Sequence, residues 1–172
     1  MAIDIGSAAI NRTGWGNIGG NTWIDYNNPA NAAGTITQVQ IFGYTTYHLV
    51  GCYVGIFYLS GDNYVCRSAV SLGTVTSGST QTFSDLSLSV VDGDYIGLYA
   101  SSGRIELTAS GGGRYTAVGN KCSVGESIPV SSFTADSTIS LFGSGVEGSS
   151  GFTFYGVACN KYCGVTATPF GM

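Results

Sequence analysis

Residues 86–107 read Leu-Ser-Leu-Ser-Val-Val-Asp-Gly-Asp-Tyr-Ile-Gly-Leu-Tyr-Ala-Ser-Ser-Gly-Arg-Ile-Glu-Leu. Three short alternating runs are separated by two glycine-centred turns. Leu86, Leu88 and Val90 alternate with serines. Ile96 and Leu98 alternate with Tyr95, Gly97 and Tyr99, and Ile105 and Leu107 alternate with Arg104, Glu106 and Thr108. A period of two places one face on a core and the other toward solvent. Asp92-Gly93-Asp94 between two such runs is a hairpin signal, and Ser101-Ser102-Gly103 is a second turn. The stretch predicts an antiparallel β-meander that the rest of the chain completes into a sandwich.

Working outward, the same pattern recurs. Ala2–Ile10 is a short apolar strand, Asn11–Gly20 a loop, and Thr22–Tyr26 a second short run. Thr35–Gly43 is the first long strand, with Val39 and Ile41 inward. Cys52–Leu59 is apolar on both parities, which suits a central strand covered on both sides. Tyr64–Val70 returns, Arg114–Val118 is another strand, and a last strand lies around Ile139 and Leu141. No run keeps a helical period over eleven residues. The expected fold is all-β, an antiparallel β-sandwich of jelly-roll type. Its domain spans 2–145. Gly143–Gly151 reads as a Gly/Ser linker, so 146–172 is assigned as linker and apolar, β-prone C-terminal extension.

Composition bounds the function. The 172 residues hold 27 glycines, 11 tyrosines and 8 phenylalanines, only 9% are charged, and the net charge is −4. Such a low-charge surface opposes self-association weakly and suits a virion or extracellular location. The six basic residues form no stripe, so nucleic acid is excluded as a partner. No 18-residue apolar run exists, which excludes a membrane helix, and the N-terminus lacks signal-peptide features.

Five cysteines are an odd count. If the turn after Leu59 centres near Gly61-Asp62, Cys66 faces residue 57, not Cys52. That offset of five residues is about 17 Å, beyond the roughly 7 Å a disulfide spans. Both are therefore expected as buried thiols. Cys159 and Cys163 are placed to close a small disulfide loop. Zinc would need two more ligands at motif spacing, and none are present, so no metal or cofactor is expected.

Catalytic constellations fail on their own terms. His48, the single histidine, has no Gly-x-Ser-x-Gly elbow near it. Asp92 and Asp94 are explained by the turn they flank, and Gly111-Gly112-Gly113 lacks the Lys-Ser/Thr of a phosphate loop. The chain is read as a non-enzyme. Aromatic residues remain. Trp15, Trp23, Tyr26, Tyr44 and Tyr47 fall in or beside loops and are candidate interface or glycan contacts.

A group of short motifs also carries a resemblance. Ile3-Asp4-Ile5-Gly6, Asn28-Pro29-Ala30-Asn31 before Gly34-Thr35-Ile36, Val54-Gly55-Ile56-Phe57-Tyr58, Gln81-Thr82-Phe83, Gly93-Asp94-Tyr95-Ile96-Gly97 and Ile139-Ser140-Leu141-Phe142-Gly143 occur in this order. The set resembles a loose group of phage and metagenomic virion-associated β-sandwich proteins, over about residues 2–145. Members of that group are capsid-decoration, tail-fibre or spike modules, so the resemblance implies a structural or surface-binding role, and a structural protein of this kind is the reading adopted. Its partners would be copies of itself, with a trimer favoured, and other virion proteins. The resemblance leaves the tail unmatched; the Gly/Ser linker followed by an apolar segment is what makes 146–172 the expected assembly arm, with Phe152, Phe154 and Tyr155 adding a strand to a neighbour. The alternatives are a carbohydrate-binding adhesin or receptor-binding module, and a subunit of an extracellular filament.

Overall fold

The computed structural model describes residues 2–148. Among them the strands are β1 (Ala2–Ser7), β2 (Gly14–Asn17), β3 (Asn21–Asp25), β4 (Gly34–Phe42), β5 (Leu49–Ser60), β6 (Asn63–Val75), β7 (Thr80–Phe83), β8 (Leu88–Val90), β9 (Tyr95–Ala100), β10 (Arg104–Thr108), β11 (Gly113–Val118), β12 (Ser127–Pro129), β13 (Phe133–Ala135), β14 (Thr138–Ile139) and β15 (Leu141–Glu147). One 3-10 turn spans Val130–Ser132. All strand pairs are antiparallel. The first sheet runs β1-β15-β4-β7, with β8 also on β4. The second runs β14-β10-β2, and the third β12-β6-β5-β9-β3-β11-β13. The antiparallel all-β sandwich expected from the sequence is the fold.

The meander is not. β8 pairs with β4, β9 with β5 and β3, and β10 with β14 and β2. The three consecutive runs therefore lie in three different sheets. Asp92–Asp94 carries the chain from one layer to the opposite one, and Gly103, at φ +116, carries it out again. The reason is geometric. Leu88 and Val90 meet Ile96, Leu98 and Ile105 in one core from facing layers. Alternation looks the same whether two runs pair edge to edge or face each other across a core. The crossing is locked by an ion pair whose carboxylate is buried and whose guanidinium is partly exposed. Arg67 on β6 donates from Nε and Nη2 to Asp94 at 2.6 and 3.1 Å, and Asp94 also accepts the Val91 N–H at 2.8 Å.

The seven-stranded sheet has two apolar faces. On β3, Trp23 joins the main core and Ile24 a second cluster. On β5, Val54 and Ile56 join the first and Phe57 the second. The double-sided burial read for Cys52–Leu59 thus has a physical cause as far as Phe57, whereas Tyr58 is half-buried and Leu59, near the β5–β6 turn, is exposed. The second cluster forms because the sheet curls. Four strand spacings separate β6 from β11, roughly 19 Å in a flat sheet. Yet the rings of Tyr64 and Tyr115 lie 4.5 Å apart. Two facing glycines make room inside the curl. Gly55 pairs with Gly97 across β5 and β9, and a methyl on either would meet the Phe57 ring, at 2.9 and 2.7 Å.

Three smaller expectations are corrected. The loop assigned to Asn11–Gly20 contains β2. The last strand is broken into β13, β14 and β15. The linker composition from Gly143 onward does not end the fold, because β15 runs to Glu147 between β1 and β4. Val146 and Glu147, counted with the extension, pair with Thr35 and Gly34. Gly143 and Gly145 serve close approach there, since a side chain on Gly143 would strike Ile5 at 2.8 Å and one on Gly145 the backbone of β4. The β5–β6 register places Cys66 opposite Phe57, as the turn predicted. Cys52, Cys66 and Cys122 are buried free thiols.

Candidate binding surface

β10 and β2 build an aromatic–cation group at the surface, in which the rings of Trp15 and Tyr47 are exposed and Arg104 is half-buried. Their register sets Trp15 opposite Glu106 and Asn17 opposite Arg104. On this face Gly14, Gly16, Ile105 and Leu107 have the inward parity, leaving Trp15 and Arg104 on the outer side. The Arg104 guanidinium lies over the Trp15 ring at 3.7 Å and over the Tyr47 ring at 4.2 Å, so it is sandwiched. Tyr44 packs against Trp15, its ring centroid 5.7 Å away. Trp15 is 43% and Tyr47 49% exposed. The Tyr44–Tyr47 loop is held by a backbone bond from Tyr44 N–H to the Arg104 carbonyl at 2.9 Å. Three of the five aromatic candidates thus converge on a cation that sequence reasoning passed over. Arg104 was legible only as one polar residue in an alternating run.

Beside this group lies a buried polar layer. Glu106 is buried and accepts the Arg12 N–H at 2.9 Å. Arg12 reaches Ser140 Oγ at 2.8 Å and the Ala8 carbonyl at 2.8 Å. Asp25, fully buried at the end of β3, accepts from the backbone and side chain of Asn27. Burial pushes its carboxyl above the ordinary value, against the hydrogen bonds of Asn27 and Ser7 that favour the charged form. Burial also lowers the Arg12 pKa.

Trp23 and Tyr26 lie elsewhere. Trp23 is only 5% exposed and belongs to the main core, so it is not a surface contact. Its inward parity on β3 decides this. Arg114, cross-strand on β11, covers its ring at 4.2 Å. Tyr26 sits at the mouth of the curled sheet. It stacks on Tyr95 at 5.0 Å and meets Tyr115 and Phe133 edge-on at 5.5 and 5.4 Å. Tyr26 is 37% and Phe133 40% exposed, while Tyr64 and Tyr115 fill the curl beneath them. Burial raises the Tyr95 phenol to about 12 and the Tyr64 phenol further. Phe133, Tyr95 and Tyr115 were missed because their neighbours come from four separate strands.

His48 is exposed, and its Nδ1 accepts the Ser77 N–H at 3.0 Å. Burial lifts the Cys52 and Cys66 thiols to about 11, and Cys122 well above its ordinary value, so all three are unreactive as nucleophiles near neutrality. Among the described residues no three His, Cys, Asp or Glu side chains gather as metal ligands, and no pocket opens. No described helix is long and apolar enough to cross a membrane. Phe152, Phe154, Tyr155, Cys159 and Cys163 lie outside the described residues. The fold and surface together define the class, an antiparallel β-sandwich with two exposed aromatic groups. No protein-family model, curated protein or solved structure matches the chain.

Proposed function

We propose that the chain is a non-enzymatic structural protein of the virion-associated or extracellular kind, working by assembly with copies of itself. The observation that carries this reading is the mouth of the curled sheet. There Tyr26 and Phe133 remain well exposed on a tightly packed aromatic base. Rigid aromatic surface of this kind is the usual anchor of a protein interface. It lies at a sheet edge, since β13 ends the seven-stranded order and all three of its residues are exposed. An arm from a neighbour can add a strand there, gaining backbone hydrogen bonds and aromatic burial together. The β1 edge is less suited. Asn31 Oδ1 accepts the Asp4 N–H at 3.1 Å, and the Asn28 carbonyl accepts the Gly6 N–H at 2.7 Å. The arm proposed is the segment after Gly148, and the favoured assembly is a trimer.

Light scattering tests this. The full chain is expected to give a multiple of the monomer mass. Truncation after Gly148, or Phe133→Ser, is expected to reduce it to the monomer. A monomeric full chain would sink the proposal.

A second reading, a receptor-binding module for glycans, is favoured by a different observation. Exposed Trp15 and Tyr47 flank a half-buried Arg104, and the strands carrying Trp15 and Arg104 lie in another sheet from the β13 edge.

A further inference from the structure

The described cations differ in how they are satisfied. Arg67 is paired with Asp94 and Lys121 with Glu126, at 2.6 and 2.7 Å. Arg12 reaches Ser140 and the Ala8 carbonyl, and Arg114 donates to Ser137. Arg104 stands apart. Both of its ring contacts are to exposed aromatics, and among the described residues neither an ion pair nor a side-chain hydrogen bond is formed by its guanidinium. The flanking rings fix the plane of the group, so its fork of N–H donors is preorganised at the sandwich rim. The electrostatics there favour an anion. The nearest acid along the strand is Glu106, which is buried and tied to Arg12. Arg12 faces both Asp25 and Glu106, so among the described residues the positive charge without an acidic partner at this rim is that of Arg104 alone.

We propose that Arg104, with Trp15, Tyr47 and Tyr44, is a carboxylate-recognition site for an acidic sugar, a uronate or a sialate. The proposal rests on the receptor-binding reading and names its ligand class. A planar guanidinium fork matches a carboxylate with two parallel hydrogen bonds. In an acidic sugar the carboxylate is attached to a ring that carries apolar C–H faces. One rigid ligand therefore offers an anion to Arg104 and an apolar face to the adjoining aromatic rings. An Asp or Glu side chain offers the anion on a flexible stem, with a few methylenes only. The site needs no cavity, which fits a sandwich without a pocket among its described residues.

The full chain is titrated with tetragalacturonate, its methyl ester, sialyllactose, lactose and polyglutamate. Binding is followed by the NMR signal of the Trp15 indole N–H and by tryptophan fluorescence. The acidic sugars are expected to shift Trp15 and leave the buried Trp23 unmoved. Methyl esterification and Arg104→Gln are each expected to weaken binding by about tenfold or more. Arg104→Lys keeps the charge and loses the fork, and is expected to fall between wild type and Arg104→Gln. The thermal midpoint of each variant checks that the fold persists. Equal binding of the ester and the acid would overturn the carboxylate site while leaving glycan binding standing. Equal binding of polyglutamate would overturn the sugar and make the ligand an acidic protein. No response of Trp15 to any probe would overturn both the inference and the reading it rests on.

Discussion

Two tryptophans in this molecule each carry an arginine on the ring, and their fates are opposite. Trp23 lies 4.2 Å below Arg114 inside the sandwich, and Trp15 lies 3.7 Å from Arg104 on its surface. They are joined through β2. Trp15 points out from that strand, while Gly16, its neighbour, sits against the Trp23 ring so closely that a methyl there would enter the ring's van der Waals shell. Trp23 is part of what makes the core continuous between sheets, and the half-buried Arg114 covers its ring. The exposed pair contributes little to folding and leaves its cation available. The same residue types thus pack a core in one place and sit at the surface in the other, where we propose recognition, and strand parity separates the two.

The comparison can be broken most severely at Trp23. Trp23→Ala is expected to cost about 3–5 kcal/mol, as removal of a large buried ring does, seen as a lower denaturant midpoint at unchanged m. Gly16→Ala, which touches neither tryptophan's own chemistry, is expected to cost about 1–3 kcal/mol by overpacking the Trp23 ring. If it were neutral, β2 would not be the lid of that ring.

Asp25 sharpens the comparison through pH. It lies directly across β3 and β11 from Arg114, buried, with its carboxyl pKa raised by burial. A raised folded pKa means the carboxyl favours folding in its neutral form. That contribution is present below the ordinary carboxylate value and is lost as pH rises through the folded value. Urea melts across this range are therefore expected to show wild type losing stability relative to Asp25→Asn as pH rises. Parallel curves would refute the assignment. The smallest effect belongs to Trp15. Trp15→Ala is expected to change stability by no more than about 1 kcal/mol. It is also expected to remove the acrylamide-quenchable part of the fluorescence and leave the shielded Trp23 part.

Much of this was open to reading along the chain. Val39, Ile41, Val54, Ile56, Ile96 and Leu98 were legible as core because side chains alternate on any strand, whatever its partner. The Cys66–Phe57 pairing was legible because a tight turn sets the register of the two strands it joins. The candidate surface was half legible. Trp15, Tyr44 and Tyr47 were named, but Trp23 was placed with them, since an aromatic beside a loop looks the same whether its strand turns it in or out. The glycines after Leu141 misled in the same way. Gly143 and Gly145 read as flexible spacer, but they are small so that β15 can lie close to β1 and β4.

The sequence by itself determined the all-β class, most of the long strands with their inward faces, the free thiols at Cys52 and Cys66, and the low-charge, aromatic-rich composition. These follow from local spacing and from residue chemistry. Only the tertiary structure decided that residues 86–107 are spread over three sheets and not one meander. Only it decided that the third sheet curls far enough to bring Tyr64 to Tyr115. And only it brought Arg104 between Trp15 and Tyr47. Each is a choice of partner between strands distant in the chain, made by burial of shared apolar area, and alternation within one strand carries no record of it.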